Sequence, residues 1–169
     1  MASRWQRILR HRWLDEADTR RAIPPAMLHA LADHVARSEL QHTGQIRIYV
    51  EAGLPLSYLW RHASARERAI AMFGKLRVWD TEHNNGVLIY LLLAERAIEI
   101  VADRGVSRHV APGQWRQITQ GMSAAFAAGR YEQGLKQAID AVGAELVRHF
   151  PAAPGEANPN ELPDEPVLG

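Results

Sequence analysis

Oxygen-bearing side chains cluster in one short segment of the sequence, directly before an apolar run. Asp80, Glu82 and Asn84 alternate along this segment, which ends in Gly86. Side chains at alternate positions can turn several oxygens toward a hard cation such as Ca²⁺. The segment is not an EF-hand loop, because its glycine comes one position late and Leu91 stands where that loop needs a bidentate glutamate.

An ion in this segment would need further ligands, and the ends of neighbouring strands are the nearest source. Asp103 follows a strand that we expect to pair as a hairpin with the strand after Gly86, so Asp80 and Asp103 should lie at the same end of the sheet. The predicted cation ligands are Asp80, Glu82 and Asp103, with Asn84 and Glu51 as weaker candidates. All of them are oxygen donors in an irregular loop, which favours Ca²⁺ over Mg²⁺.

A second interpretation of the same segment needs no ion. Asp80 and Asn84 are typical turn residues, whose side chains bond nearby backbone amides, and Gly86 can supply a backbone angle that other residues avoid. Arg104, beside Asp103 in the sequence, could neutralise the carboxylates in place of a cation. The sequence therefore leaves both a weak calcium site and a simple turn open.

Other chemistry has little support in the sequence. The chain has no cysteine, which excludes a thiol nucleophile and thiolate metal sites. It has neither a phosphate-binding P-loop nor a nucleophile elbow, and the pair Arg108 and His109 lacks the glycine and second arginine of a histidine phosphatase motif. Tryptophans are not interleaved with basic residues that could form a groove, so we predict no nucleic-acid partner. We also predict no organic cofactor.

Length and charge indicate one domain with charged ends. A chain of 169 residues is long enough for one compact core. Six arginines fall within the first 21 residues, whereas every charge after His149 is acidic. There is no uninterrupted apolar stretch of signal-peptide type near the start, and the longest apolar run is far shorter than a membrane span needs. These features predict a cytoplasmic protein that can act peripherally at a membrane.

The first 22 residues have the pattern of a basic amphipathic helix. Trp5, Ile8, Leu9 and Trp13 recur at helical spacing, and arginines occupy the other positions. This composition suits an anionic membrane surface or a groove on a protein partner. The predicted contact residues are Trp5, Arg7, Ile8, Leu9, Arg12 and Trp13.

The remaining periodicities alternate between helix and strand. They predict a helix from Pro25 to about Leu40, a strand around 45–51, a helix capped by Ser64, a hairpin of 87–93 and 98–102, and two helices around 115–126 and 135–150. Glu39, near the end of the first of these helices, is expected to be solvated. This order indicates a small mixed sheet with helices on both faces, occupying residues 23–150, followed by a Pro-rich acidic tail, 151–169, without a fold of its own.

The middle of the chain resembles the TPM domain family. The resemblance rests on "GQIRIYVEAG", on "RERAIAMFGKLRVWDTEHNNGVLIYLLLAERAIEIVADRGV" and on "MSAAFAAGRYEQGLKQAIDAVGAEL". Asp80 and Asn85-Gly86-Val87-Leu88 match the family pattern at the expected spacing, and the segment from Phe126 to Gly134 is similar to its late helix-turn-helix element. Where the family has Gly-Tyr-Gly-Leu-Glu, this chain has Asp103-Arg104-Gly105-Val106.

This resemblance implies a three-layer α/β/α sandwich, but it does not select one function. Relatives have been linked to phosphatase activity, calcium binding, photosystem repair and receptor modulation, and a shared fold does not choose among these. The leading hypothesis from the sequence is a binding or accessory domain that acts on a protein partner or at a membrane surface, with a weak calcium site. The alternative is a weak metal-dependent phosphatase, in which Asp80, Glu82 and Asp103 would hold the ion that activates water.

Overall fold

The computed structural model describes residues 4–155 and 158–169. Its helices are α1 Arg4–Arg12, α2 Glu16–Ala22, α3 Pro25–Glu39, α4 Leu56–Trp60, α5 Ala65–Lys75, α6 Arg104–Ser107, α7 Pro112–Ala127 and α8 Tyr131–His149. Its strands are β1 Gln45–Glu51, β2 Gly86–Leu92, β3 Ala97–Ala102 and β4 Val167–Leu168. Residues 1–3 of the predicted arm and 156–157 of the predicted tail lie outside this description.

The sheet has four strands in the order β3-β2-β1-β4. β1 and β2 are parallel, with Gln45 beside Gly86 and Glu51 beside Leu92. β2 and β3 form the predicted antiparallel hairpin. Every residue of β2 is buried, as expected for an internal strand covered on both faces.

Helices cover both faces of the sheet, so the core has two parts. On one face, alternate residues of β1 and β2 pack with α3, α7 and α8, and this part includes Leu31, Ile48, Ile89, Phe126 and Ile139. On the other face the strands pack with α1, α4 and α5, and this part includes Ile8, Leu59, Met72, Leu88 and Tyr90. The protein is the predicted three-layer α/β/α sandwich with a small mixed sheet.

Local sequence signals fix the helix ends. Ser64 Oγ accepts a hydrogen bond from the Glu67 N–H at 3.2 Å, and the Glu67 carboxylate accepts one from the Ser64 N–H at 2.8 Å. This is the predicted capping box at the start of α5. Gly129 lies between α7 and α8 with φ +72°, a backbone angle that favours glycine, so the first helix ends there.

The C-terminal residues correct one prediction, because they belong to the domain rather than to a tail without structure. Val167 and Leu168 add β4 to the free edge of β1, and Leu162 is 6 % exposed in the core. Gln45, fully buried, accepts hydrogen bonds from the Glu161 and Leu162 N–H groups at 3.0 Å each. A proline-rich segment without periodicity can still be ordered when its backbone bonds to side chains of a neighbouring strand.

Candidate functional sites

Helix α1 is held on the domain by one buried histidine. His11 Nδ1 accepts a hydrogen bond from the Leu54 N–H at 2.9 Å, so its Nε2 is the donor to Glu95 Oε1 at 3.0 Å. Arg7 donates to the same carboxylate oxygen at 2.8 Å. The hydrogen bond from His11, reinforced by Arg7, holds the pKa of Glu95 below its usual range. Because Gly53 has no side chain, the His11 backbone can approach the loop after β1 closely.

This docking divides the predicted apolar face of α1. Ile8 is 7 % exposed and packs in the core, whereas Trp5, Leu9 and Trp13 are 66, 55 and 82 % exposed. The helix turns the side of Arg7 and Ile8 toward the domain, so those two residues are removed from the predicted contact set. Trp5, Leu9, Arg12 and Trp13 remain at the surface. We call Trp5, Leu9 and Trp13 the α1 stripe.

The surroundings of the α1 stripe are apolar and basic. Helix α4, which contacts α1, adds two large exposed side chains, Leu56 and Trp60. Arg10 and Arg12 are exposed, and among residues 4–155 and 158–169 no carboxylate lies within ion-pair distance of either. The surface therefore combines apolar side chains with guanidinium groups that form no ion pair within the described part of the protein.

A second concentration of unusual residues lies where β1 and β2 begin and β3 ends, which we call the polar end of the sheet. Gln45, Asn85, Thr81 and Asp103 are all buried there. The Asn85 N–H donates to Thr81 Oγ1 at 3.1 Å, and the Asn85 side chain donates to Thr43 at 3.3 Å. These bonds fix the loop between α5 and β2, the segment in which the sequence predicts either a turn or a cation.

Backbone conformation in this loop differs from the prediction for Gly86. The positive φ, +50°, belongs to Asn84, a residue that tolerates this region. Gly86 lies at the start of β2, and a Cβ there would be 2.0 Å from the Val78 carbonyl oxygen. Gly86 is therefore required for close approach of two backbone segments. Asn84 thus has the backbone of a turn residue, but no bond from the Asp80 or Asn84 side chain to a backbone amide is seen among the described residues, and the glycine serves a different purpose.

The side chains of the predicted cation ligands do not converge on one point. Asp80 is exposed and forms an ion pair with Arg77 at 2.7 Å, rather than with Arg104. The Asp103 Oδ1 atom caps α6 by accepting from the Arg104 N–H at 2.7 Å. Its Oδ2 is buried and has no hydrogen-bond partner among the described residues. In the described part of the chain, no group of three His, Asp or Glu side chains is arranged to hold a metal ion.

Two further residues change the predicted ligand set. Glu51 lies beside Leu92, at the opposite end of the parallel pair from Gly86, so it cannot join Asp80 and Asp103. Glu161, from the C-terminal segment, accepts a hydrogen bond from the Glu82 N–H at 2.9 Å and lines a pocket of about 170 Å³ with Glu82. The sequence offered only the acidic composition of residues 158–169 as a signal for Glu161.

Glu51 instead belongs to a buried ion pair. Arg68 donates to both its oxygens, at 2.9 and 2.5 Å, and the Tyr90 hydroxyl donates to Oε2 at 2.7 Å. Burial and the neighbouring Glu51 carboxylate raise the pKa of Tyr90. All three polar groups are satisfied by one another, which is the arrangement a buried charge requires. These bonds link α5 to β1 and β2.

Glu39 and His42 are two further buried polar side chains, although the sequence predicts that Glu39 is exposed to solvent. The Ile46 N–H donates to Glu39 Oε1 at 2.8 Å, but burial dominates and raises the pKa of Glu39 to about 8. Burial lowers the pKa of His42 to about 4. Neutral His42 donates from Nδ1 to the Gly44 carbonyl at 3.1 Å and accepts from Ser38 at Nε2. The C-terminal segment covers the site, which is why Glu39 is not solvated.

The architecture is that of an α/β/α domain with one mixed sheet and a docked N-terminal helix. The TPM domain profile matches residues 17–145, and the chain therefore belongs to the TPM domain family. The match confirms the resemblance seen in the sequence. It begins after α1, so the α1 stripe lies outside the matched segment.

Solved structures agree with this assignment. The chain is similar to the BA42 protein of the psychrophilic bacterium Bizionia argentinensis, with a TM-score of 0.74, 25 % identity, and coverage of 87 % of this chain and 95 % of that one. It shares the fold of the N-terminal domain of a protein from P. gingivalis, with a TM-score of 0.60, 17 % identity, and coverage of 76 and 81 %. No curated protein matches the sequence. Within residues 4–155 and 158–169, no helix combines the length and apolar character needed to cross a bilayer.

Proposed function

We propose that this TPM domain is a binding domain that docks on anionic membrane surfaces through the α1 stripe. The observation that carries the proposal is the exposure of Trp5 and Leu9 on α1 and of Trp13 directly after it, while the other side of α1 is held on the domain by His11 and Arg7. A fixed helix presents its apolar side chains without first having to fold. Aromatic residues of this kind are favoured at the boundary between lipid chains and head groups.

The charges around the stripe favour an anionic surface over a purely apolar groove. Arg10 and Arg12 flank the exposed side chains and form no ion pair with the described residues. Each basic residue near an anionic membrane contributes roughly 1 kcal/mol, and each large apolar side chain that becomes fully buried contributes roughly 1.5–3 kcal/mol. Three apolar side chains and two arginines are together sufficient for reversible, salt-sensitive binding.

Co-sedimentation with vesicles tests the proposal. The protein is expected to pellet with vesicles containing phosphatidylserine and to remain in the supernatant with purely zwitterionic vesicles. Replacing Trp5, Leu9 and Trp13 with serine should abolish pelleting. A matched control replaces the exposed Leu40, directly after α3, and Ile70 in α5, and should bind like the unchanged protein. Equal pelleting of both variants would contradict the proposal, and so would binding that ignores lipid charge. If neither vesicle pellets the intact protein, a protein partner is the remaining occupant for the stripe.

A weak calcium site at the polar end of the sheet is the second candidate, and the buried Asp103 Oδ2 without a partner favours it. Glu161 lies beside the same loop, where its carboxylate accepts a hydrogen bond from the Glu82 N–H. A cation bound at this end of the sheet would give the unpaired Asp103 oxygen a partner. Calcium titration followed by amide NMR should shift residues 80–86 and 103–106, and Asp103→Asn should reduce the shifts. No shifts at millimolar calcium would leave the loop as a turn.

The same site decides the phosphatase alternative. A phosphatase of this kind needs an ion that activates water beside a phosphate ester. Turnover of a phosphomonoester that requires both calcium and Asp103 would replace the binding proposal by an enzymatic one. Phosphatase activity that persists in Asp103→Asn and in the presence of a chelator would not come from this site.

A further inference from the structure

A groove of about 240 Å³ lies along the outer edge of β3, between α5 and α7. Arg66 at the start of α5 and Arg116 in α7 line it from its two sides, and Glu99 of β3 lies between them. Arg66 donates to the Ile100 carbonyl and lies 3.5 Å from the Glu99 carboxylate. The two arginines are far apart in the sequence, so only the fold reveals that they share one groove.

Within the described residues, the groove is lined by two arginines and one carboxylate, so its positive charge exceeds its negative charge. Arg116 folds back over the first turn of α7, where its Nη2 lies 3.8 Å from the position that a Cβ on Gly113 would take. The N-terminal end of a helix carries a partial positive charge, so it favours anions and not cations. The first turn of α7 has no acidic residue, and in the described part of the chain no carboxylate lies within ion-pair distance of Arg116.

An unsatisfied donor provides an independent observation at the same place. Trp115 lines the groove and is 5 % exposed, and its indole N–H has no hydrogen-bond acceptor in residues 4–155 and 158–169. Buried indole N–H groups normally have a partner. Two guanidinium groups, a helix N-terminus and this indole are all donors, and Glu99 is the one carboxylate among the described residues that line the groove.

We propose that the groove beside β3 is a binding site for a phosphate group, held by Arg66 and Arg116 over the N-terminus of α7. Phosphate offers more acceptor oxygens than a carboxylate and can accept from several donors at once. The group can belong to free phosphate or to a phosphomonoester, since only the phosphate itself would contact the donors. The proposal is independent of the α1 stripe, which lies on a different helix.

Titration with sodium phosphate, followed by two-dimensional NMR of ¹⁵N-labelled protein, tests the site. The Trp115 indole resonance, identified from the spectrum of Trp115→Phe, should move saturably, together with the backbone amides of 113–116. Sodium chloride at the same ionic strength should leave them in place. A parallel titration with glycerol phosphate distinguishes the two sources: similar affinity indicates that the group alone is recognised, and tighter binding indicates a phosphomonoester ligand. Acetate should bind more weakly than either.

Two variants with opposite expected effects on phosphate affinity sharpen the test. Arg116→Gln removes a side chain that makes no ion pair with described residues, so it should fold normally and weaken phosphate binding by about tenfold or more, the usual worth of a hydrogen bond to a charged group. Glu99→Gln removes the competing carboxylate and should strengthen binding. Arg108→Gln, on an exposed arginine just after α6, is the matched control and should bind like the unchanged protein. Absence of saturable shifts, or equal shifts in Arg116→Gln, would overturn the proposal.

Discussion

Burial of the Glu39 carboxyl group predicts that the protein loses stability as the pH rises. The side chain is 6 % exposed, and its pKa is raised to about 8 because ionisation would place a charge among apolar atoms. In the unfolded chain the same group has a pKa near 4.5. Between these values the folded protein holds a proton that the unfolded chain has released, so rising pH favours unfolding.

The expected size of the effect follows from the width of this window. Each pH unit changes the free energy of unfolding by about 1.4 kcal/mol, so Glu39 contributes at most about 5 kcal/mol over the whole range. His42 acts in the opposite direction, because its pKa is lowered from 6.5 to about 4 and the folded protein lacks a proton that the unfolded chain binds. The two effects offset each other at lower pH, and the net loss is concentrated above about pH 6.5.

Replacing Glu39 with glutamine isolates its contribution. The amide oxygen can still accept from the Ile46 N–H, but the side chain no longer titrates. Urea unfolding from about pH 5 to about pH 9 should give similar stability for both proteins at the acidic end and a variant that is more stable by several kcal/mol at the basic end. Glu16→Gln, on a side chain that is 60 % exposed, controls for the lost formal charge. Identical pH profiles for Glu39→Gln and the unchanged protein would refute the reasoning.

Three further substitutions test the packing that positions the sites. Arg68→Met leaves the Glu51 carboxylate buried without its cation and should lower the free energy of unfolding, measured in urea, by about 3–5 kcal/mol. A decrease below about 1 kcal/mol would show that the pair is solvated. Gly134→Ala places a Cβ 2.6 Å from the buried Phe126 ring and should lower the free energy of unfolding by about 1–3 kcal/mol; a neutral result would mean that the ring can move aside. Ser64→Ala removes the N-cap of α5 and should cost about 1 kcal/mol by the same assay, and no change would show that the Glu67 side chain alone caps the helix.

Periodicity in the sequence was sufficient for most of the fold. Helices α3, α5, α7 and α8 have apolar residues at helical spacing, and β1 to β3 have the alternation or continuous burial that strands of a covered sheet require. The hairpin and the capping box at Ser64 were predicted from local signals, and the structure confirms them. These features depend on neighbours within a few positions, which a sequence shows directly.

The features that escaped prediction depend on contacts between distant segments. β4 has only two residues and no periodicity, and it forms because Gln45 and the edge of β1 bind the C-terminal backbone. The burial of Glu39 results from that same segment covering the end of α3. The amphipathic pattern of α1 was correct in kind, but the rotation of the helix is set by His11 and Glu95, and spacing alone does not specify it.

Site predictions had the same limit. Asp80 and Asp103 were placed near one another by strand pairing, and the Asn84 carbonyl does accept a hydrogen bond from the Gly105 N–H at 2.9 Å. Strand pairing does not specify where carboxylates point, and Asp80 pairs with Arg77 instead. The calcium site therefore stays a prediction that titration must test.

Quenching of tryptophan fluorescence by lipids brominated on their acyl chains tests membrane docking most directly, because only a side chain within the bilayer is quenched strongly. In phosphatidylserine vesicles we expect strong quenching of the intact protein, much less in Trp13→Phe, and unchanged quenching in Trp79→Phe, a control on an exposed tryptophan outside α1. Quenching that is weak in the intact protein, or that is lost with Trp79 and retained without Trp13, would contradict docking through the α1 stripe.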